Sequence, residues 1–513
     1  MARLNFKLLS IVLVVWQAFS ILMVAVFNWP PEIFWLNLGL SCLFLLFAET
    51  YQSLIFLILY IPFYVVVPGF ETLAAWRILF GLLFLVWIIK DKGLRIKDIN
   101  FLPWDKLLGI FVLLSLLVTL AFGNFFGPGI KQILFWLNIY LFYIVFINTI
   151  KTGEQILSAI KAAALSLLVI IFIGYLQLIA TFFSGLDTFW VYWASYISKL
   201  FYGQDFVNVA LYSNSWFSFT VGRELRMFSI LPDSHSFALI CVFATGFLLP
   251  LLYIYSKKIQ YVLWSVIRFS GLALVLSGTR AVWVGLLAPL ALASLSYWKN
   301  LFKPISKKNL GMLLIILLFF ALSPFINQGL HILRISAFKE NFLDRAFSIY
   351  DLRESSNAAR LKIWGESSRY AFSHPLGAGV GNFIISSCPS FREGMSYAQV
   401  AEVVHPVFNL PCKYITAHNL YLHIFVEAGF LGLAAFLAFL LKFFREIWRF
   451  LKQRQAHDNF FVIFVVQSGL TMLWVMAAAF FDVTLFNDRV LMYFLISLGL
   501  TGVIIKYRPD INQ

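Results

Sequence analysis

Apolar residues run in long stretches broken by short polar segments. The stretches approach the roughly 20 residues a helix needs to cross a bilayer. Candidate spans lie near 8–27, 33–48, 52–67, 73–90, 107–122, 132–150, 160–183, 235–254, 260–277, 281–298, 310–327, 418–441, 459–480 and 489–506. The pattern predicts an all-α fold, a polytopic integral membrane protein with about 14 transmembrane helices. Between 260–277 and 281–298 only Gly278-Thr279-Arg280 intervenes, which predicts a tight reversal or one long broken helix. The first run follows Arg3 and Lys7 and ends in Asn28-Trp29-Pro30-Pro31 without a small-residue cleavage site, so it reads as a retained signal anchor.

Two longer polar segments interrupt the pattern. The first, 184–225, is rich in aromatics: Trp190, Tyr192, Trp193, Tyr196, Phe201, Tyr202, Trp216 and Phe217. Its expected form is an interfacial helix with an aromatic belt; a groove for a lipid chain is also compatible. The second, 328–416, carries many charges, with helical spacing near 356–373 from Leu361, Trp364, Tyr370 and Phe372. His374-Pro375-Leu376-Gly377-Ala378-Gly379-Val380-Gly381-Asn382 then breaks the helix. It lacks the Gly-Lys-Ser/Thr of a phosphate-binding P-loop. Four regions follow: N-terminal transmembrane helices (1–183), transmembrane helices with the aromatic segment (184–327), a large and mainly helical loop (328–416), and C-terminal transmembrane helices (417–513).

Composition agrees with a membrane protein. Charged residues make up 12% of the chain and the mean hydropathy is +0.86, against about 25% charged in soluble domains. The net charge of +15 would raise nucleic acid as a partner in a soluble protein. Here the basic residues sit in loop clusters, so topology accounts for them and no nucleic-acid partner is expected. Lys90 to Lys106, Lys151 and Lys161, Lys257 and Lys258, Lys299 to Lys308, and Lys442 to Arg454 all fall on one side if both termini are cytoplasmic. That orientation puts both long polar segments outside. Cys388 and Cys412 would then lie in an oxidising compartment, where a disulfide and two free thiols are both open. No Cys-x-x-Cys or His-rich spacing appears, so neither a metal nor a cofactor is expected.

Several polar residues stand at the edges of apolar runs. Arg226 precedes the span at 235–254, Arg280 occupies the reversal, and Arg360 opens the helical part of the large loop. Guanidinium groups hold phosphate oxygens through forked hydrogen bonds; each arginine taken singly could equally snorkel to headgroups or pair with an acid. His418 and Asn419 start the span after the loop. An imidazole suits proton abstraction near neutral pH, or simply caps the helix. Glu427 lies about two and a half turns further and needs a donor, from an arginine or a helix end. Arg77 lies near the outer end of its span. Arg268, near the middle of its own, is expected to face the bundle.

These pieces occur in an order: Arg226 before Pro232-Asp233; Ser277-Gly278-Thr279-Arg280; Arg360, Trp364 and His374 to Asn382; then His418-Asn419-Leu420-Tyr421-Leu422 and Glu427-Ala428-Gly429-Phe430-Leu431-Gly432. Over about 220–440 the chain resembles the O-antigen ligase and O-antigen polymerase family of bacterial membrane glycosyltransferases. The resemblance implies a multi-pass protein of the bacterial inner membrane with a periplasmic active site. It would move a glycan from undecaprenyl pyrophosphate to a glycan or lipid A-core acceptor, in contact with membrane lipid. It implies that Arg226, Arg280 and Arg360 hold the pyrophosphate and that His418 is the base. Asp233 departs from the Asn that family members often carry, and would orient Arg226 or His235. Asn419 and Glu427 would support the site. Two other readings remain: a transporter or flippase for lipid-linked glycan, and a non-catalytic scaffold, which would leave the arginines and His418 far apart.

Overall fold

The computed structural model describes residues 6–91, 99–212, 216–218, 224–299, 355–388, 391, 395–401, 403–405, 410–412, 415–453 and 459–509. The predicted span at 310–327 and the charged first part of the large loop lie outside these residues. Among the described residues, ten helices are long and apolar enough to cross a membrane. They are Phe6–Phe27, Asp105–Phe122, Phe126–Thr149, Gly153–Ser184, Ser234–Leu251, Lys257–Leu276, Arg280–Tyr297, Leu420–Gln453, Phe460–Ala478 and Asp488–Tyr507.

Among the described residues, the early runs fold into shorter helices than the expected spans. Ile33–Phe47, Thr50–Tyr60 and Ala75–Lys90 have 15, 11 and 16 residues. Pro62 lies in a 3-10 turn, Ile61–Phe63, where the Thr50–Tyr60 helix ends. An antiparallel hairpin, Val66–Val67 with Phe70–Ala74, takes up the rest of the apolar run. Hydrophobicity alone does not distinguish this hairpin from the end of a span.

The helices divide by burial. Ser234–Leu251, Phe460–Ala478 and Asp488–Tyr507 are apolar all round and are buried over 94%, 89% and 83% of their central windows, as expected for helices enclosed by others. Phe6–Phe27 and Asp105–Phe122 are buried over only 28% and 22% and form the periphery. Serine and threonine join the central helices: Ser166 and Tyr493 share a hydrogen bond, and Thr501 donates to Ser468 at 2.7 Å. In a dry interior such pairs satisfy groups that have no water. Arg268 corrects the expectation made for it. It is exposed on the Lys257–Leu276 helix, at the edge of the stripe that buries Ile267, Ser270, Gly271 and Leu274. A long aliphatic stem lets the charge reach toward water from that edge.

The aromatic segment forms short helices, Leu186–Tyr192, Lys199–Tyr202 and Gln204–Tyr212, with a π-helical turn at Trp193–Ser198. Its aromatics do more than form a belt. Trp216 is fully buried, stacks on Phe228 at 4.1 Å and donates to the Pro232 carbonyl at 2.8 Å. It thereby fixes the segment leading into the Ser234–Leu251 helix.

The two glycine-containing motifs interlock. Leu420–Gln453 is two helices merged across Gly429, whose φ is 71°. The 375–381 loop packs into that break: Phe430 N–H donates to Pro375 O, and Ala378 and Gly379 N–H donate to Val426 O and Glu427 O, at 2.8, 2.8 and 2.9 Å. A Cβ on Gly377 would stand 2.5 Å from Gly429 N, and one on Gly429 2.4 Å from Leu376 O. Positive φ and backbone-to-backbone approach both require glycine there. Asn382 fastens the far side of the loop, accepting from Phe125 N–H at 2.8 Å. Cys388 and Cys412 are joined as a disulfide, with Cα atoms 5.6 Å apart.

Candidate functional site

Arg226 is placed by backbone bonds on either side: its N–H donates to Trp216 O at 2.8 Å, and Met227 N–H to Leu276 O at 3.0 Å. Its buried side chain lies along the helix reversal. Nε donates to Ser277 O at 2.9 Å, and Nη2 to Gly278 O and Thr279 Oγ1 at 3.2 and 3.1 Å. These carbonyls end the Lys257–Leu276 helix and carry its negative pole, so a cation is favoured there. Nη1 lies 3.4 Å from His235 Nε2. Arg226 thus ties the reversal that carries Arg280 to the start of the Ser234–Leu251 helix. Arg280 itself begins the Arg280–Gly285 helix, with its side chain half-buried.

His235 points the other ring nitrogen, Nδ1, at Asp482 Oδ2 and forms a close pair with it. Asp482 follows the Phe460–Ala478 helix, in a turn facing two further charges. Burial raises its carboxyl pKa, but the His235 charge and hydrogen bond, His418 and Arg360 together outweigh that and hold it below the usual carboxylate range. His418 is the counterpart. Burial is the main cause of a pKa lowered to about 4; Asp482 opposes that shift, while Arg360 and His235 reinforce it. The imidazole is therefore neutral at neutral pH.

The chain holds His418 from both sides. Its φ is 45°, a left-handed turn that is costly for a residue with a Cβ. Before it, Ala417 O accepts from Trp364 Nε1 at 2.8 Å. After it, Asn419 Oδ1 accepts from Leu422 N–H at 3.0 Å, capping the helix. Leu420 N–H donates to Ala479 O at 2.8 Å, which ties this turn to the Asp482 segment. Trp364 belongs to the Ser355–Ser373 helix, and its ring lies 6.4 Å from that of Phe481. Arg360 is one turn earlier on the same face, which brings its charge to His418 and Asp482.

The structure therefore brings Arg226, His235, His418 and Arg360 into one charged neighbourhood, and Arg280 follows Thr279, which lines the adjoining cleft. Asp233 lies beside His235 electrostatically and also has a local task. Its Oδ1 accepts from Ser236 N–H at 2.7 Å and its Oδ2 from Ser236 Oγ at 2.9 Å, so it caps the helix. Glu427 is served by the glycine loop. Its Oε1 accepts from Gly381 and Phe383 N–H at 2.9 and 3.3 Å, the latter at the start of a short helix. His423 Nε2 lies 3.5 Å from Glu427 Oε2. Sequence reasoning gave Asp482 no role. Its position in Phe481-Asp482-Val483, a lone acid at the mouth of a span, was the available signal.

A small cleft lined by His235, Thr279, Asp482 and Leu485 opens at this cluster. Two larger cavities adjoin it through the 484–487 turn. One, of about 310 Å³, is apolar, with Phe111, Trp136, Phe436, Leu485, Phe486 and Leu495 among its walls. The other, of about 380 Å³, is polar, with walls that include Trp76, Arg77, Lys131, Asp205, Phe486 and Asn487.

A comparison with curated proteins found no match. Residues 262–437 match the family model described as O-antigen ligase. The match includes Arg280, Arg360, His418 and the interlocked glycine motifs, and leaves out Arg226, His235 and Asp482. Over this segment, about a third of its length, the chain is similar to the O-antigen ligase family.

Proposed function

We propose that the chain transfers a glycan from undecaprenyl pyrophosphate to a hydroxyl of an acceptor sugar at the periplasmic face of the inner membrane. The observation that carries this reading is the electrostatic contact of His418, Asp482, His235 and Arg360, from four separate segments, beside a cleft lined by His235 and Asp482. His418, neutral at neutral pH, takes the proton of the acceptor hydroxyl. The acceptor oxygen then bonds to the anomeric carbon, and the bond from that carbon to the pyrophosphate oxygen breaks with inversion. Undecaprenyl pyrophosphate leaves as the anion. Arg280 and Arg360 hold its charge, and Arg226 keeps the reversal bearing Arg280 in place. Asp482 steadies the imidazolium formed at His418.

Three features support this assignment. The apolar cavity meets the cleft at Leu485 and suits a polyprenyl chain. The Cys388–Cys412 disulfide fits an oxidising compartment outside the cytoplasm. The break at Gly429 is filled by backbone of the 375–381 loop, unlike the open breaks that bind ions in transporters. The test is an in vitro reaction of the purified chain with a lipid-pyrophosphate-linked glycan, offered either lipid A core or a second lipid-linked glycan and scored by product on gels. The wild type should extend one acceptor. His418→Gln, which keeps a hydrogen-bonding group but takes no proton, should lose about 10²–10⁴-fold in rate. Near-normal turnover in His418→Gln would remove the base assignment.

A further inference from the structure

The polar cavity lies beside the cleft and none of the chemistry above uses it. Its walls come from segments distant in sequence: Trp76 and Arg77, Lys131 to Phe135, Tyr202 and Asp205, and Phe486 to Asp488. At about 380 Å³ it falls within the roughly 300–1,000 Å³ of small-ligand pockets. The 310 Å³ cavity is almost wholly apolar, whereas this one mixes flat rings with charged and amide groups. That mixture suits a sugar, whose ring faces are apolar and whose edge is polar.

Arg77 gives the cavity its character. Its guanidinium carbon lies 5.4 and 5.7 Å from the ring centres of Trp76 and Phe135, and the two rings meet edge to face at 5.4 Å. Arg77 Nε and Trp76 Nε1 are buried, and neither has a hydrogen-bond partner among the described residues. A buried donor left unpaired is costly, by about 1–3 kcal/mol. The charge of the wall indicates which ligand. Arg77 and Lys131 face Asp205 and Asp488, and Asp488 is shared between Arg77 and Arg489, the latter at 3.3 Å, so the cations outnumber the acids by one. The remaining balance favours an anion.

The cavity also connects to the reactive cluster. Asn487, in its wall, donates to Asp233 Oδ2 at 3.3 Å, and Pro232 is a further wall residue. Asp233 and Pro232 lead directly into His235. A sugar in the cavity would therefore sit a short distance along the glycan from the reacting unit. No wall residue lies within 262–437. The cavity is built by parts of the chain outside the family match, which suits a determinant of substrate choice.

We propose that this cavity binds an acidic sugar residue of the glycan substrate, its carboxylate on Arg77 and its ring against Trp76 and Phe135. The inference rests on the glycan-transfer reading for its biological meaning, but its test measures binding and needs no turnover. The full chain is placed in phosphatidylcholine nanodiscs. Glucuronic- and galacturonic-acid disaccharides and their neutral counterparts are titrated by saturation-transfer NMR. At least one acidic disaccharide should bind about tenfold tighter than its neutral counterpart, the worth of one charge-assisted hydrogen bond. Arg77→Gln should erase that preference. Asp205→Asn, which removes the opposing charge, should strengthen it, and keeps the test decisive if Arg77→Gln fails to fold. His418→Gln should bind like the wild type. Equal binding of acidic and neutral sugars, or an unchanged preference in both cavity variants, would overturn the proposal. So would loss of the acidic-sugar signal when phosphatidylglycerol replaces phosphatidylcholine, since that would assign the cavity to a lipid headgroup. A chain that binds the acidic sugar but transfers no glycan would instead refute the reading of its activity.

Discussion

His418 and His423 stand five residues apart at the head of one helix and enter two different regions of the molecule. His418 precedes the helix in a left-handed turn and meets Asp482, Arg360 and His235. His423 lies inside the helix, with its ring 4.7 Å from Phe383 and Nε2 3.5 Å from Glu427. The first region is a gathering of charges at a cleft. The second is a closed joint, where Glu427 accepts backbone N–H groups of the glycine loop and Gly429 admits that loop into the helix break. Residue type is therefore a poor guide to role here. The turn at His418 and the cap at Asn419 place one imidazole among charges, while the other packs inside the helix.

The largest expected contrast between the two is in turnover. His418→Ala should lower the transfer rate by about 10²–10⁴-fold with little change in Tm. His423→Ala should lower Tm while the folded fraction keeps most of its rate. Equal rate losses in the two variants would collapse the distinction. Gly429→Ala tests the joint directly. Positive φ costs a residue with a Cβ about 1–3 kcal/mol, and the added carbon would press on Leu376 O. Folded yield in detergent should drop, by size-exclusion chromatography, and normal yield with normal melting would contradict the interlock.

Smaller effects sharpen the charged side. Arg280→Lys keeps the charge but loses the fork. A rise of about tenfold in KM for the lipid-linked donor, one charge-assisted hydrogen bond, should come without a change of acceptor; an altered acceptor choice would place Arg280 elsewhere. The finest test is pH. Burial, Arg360 and His235 lower the His418 pKa to about 4, so the proposed base stays unprotonated as pH falls through 6.5. The acid limb of kcat/KM that belongs to His418 should lie near pH 4. Asp482 raises the His418 pKa, so Asp482→Asn should move that limb to lower pH. A limb near 6.5 in the wild type, or a shift upward in the variant, would contradict the arrangement.

Much of this was legible in the residues. Ser355–Ser373 agrees with the helical spacing read near 356–373, and the reversal at 278–280 falls between two helices as expected. Glu427 found a helix end, one of its two expected partners. Other points were not legible. The helix cap made by Asp233 was not read, because it depends on Ser236 lying within reach of its carboxylate. Arg268 is exposed at the edge of its helix's buried stripe, and only the packing of that helix sets which side the stripe covers.

By itself the sequence determined that this is a helical, many-span protein and which residues carry charge at the ends of the spans. Those properties follow from local hydrophobicity and from the cost of placing charge in a bilayer, which each segment carries alone. Tertiary structure decided which of those charges meet. Asp482 stands 64 residues beyond His418 and 247 beyond His235, and only the packing of the helices that carry them brings the three together. The same holds for Trp76, Arg77 and Asp205 around the polar cavity. Such meetings depend on the relative placement of rigid helices, and no periodicity along the chain encodes that placement.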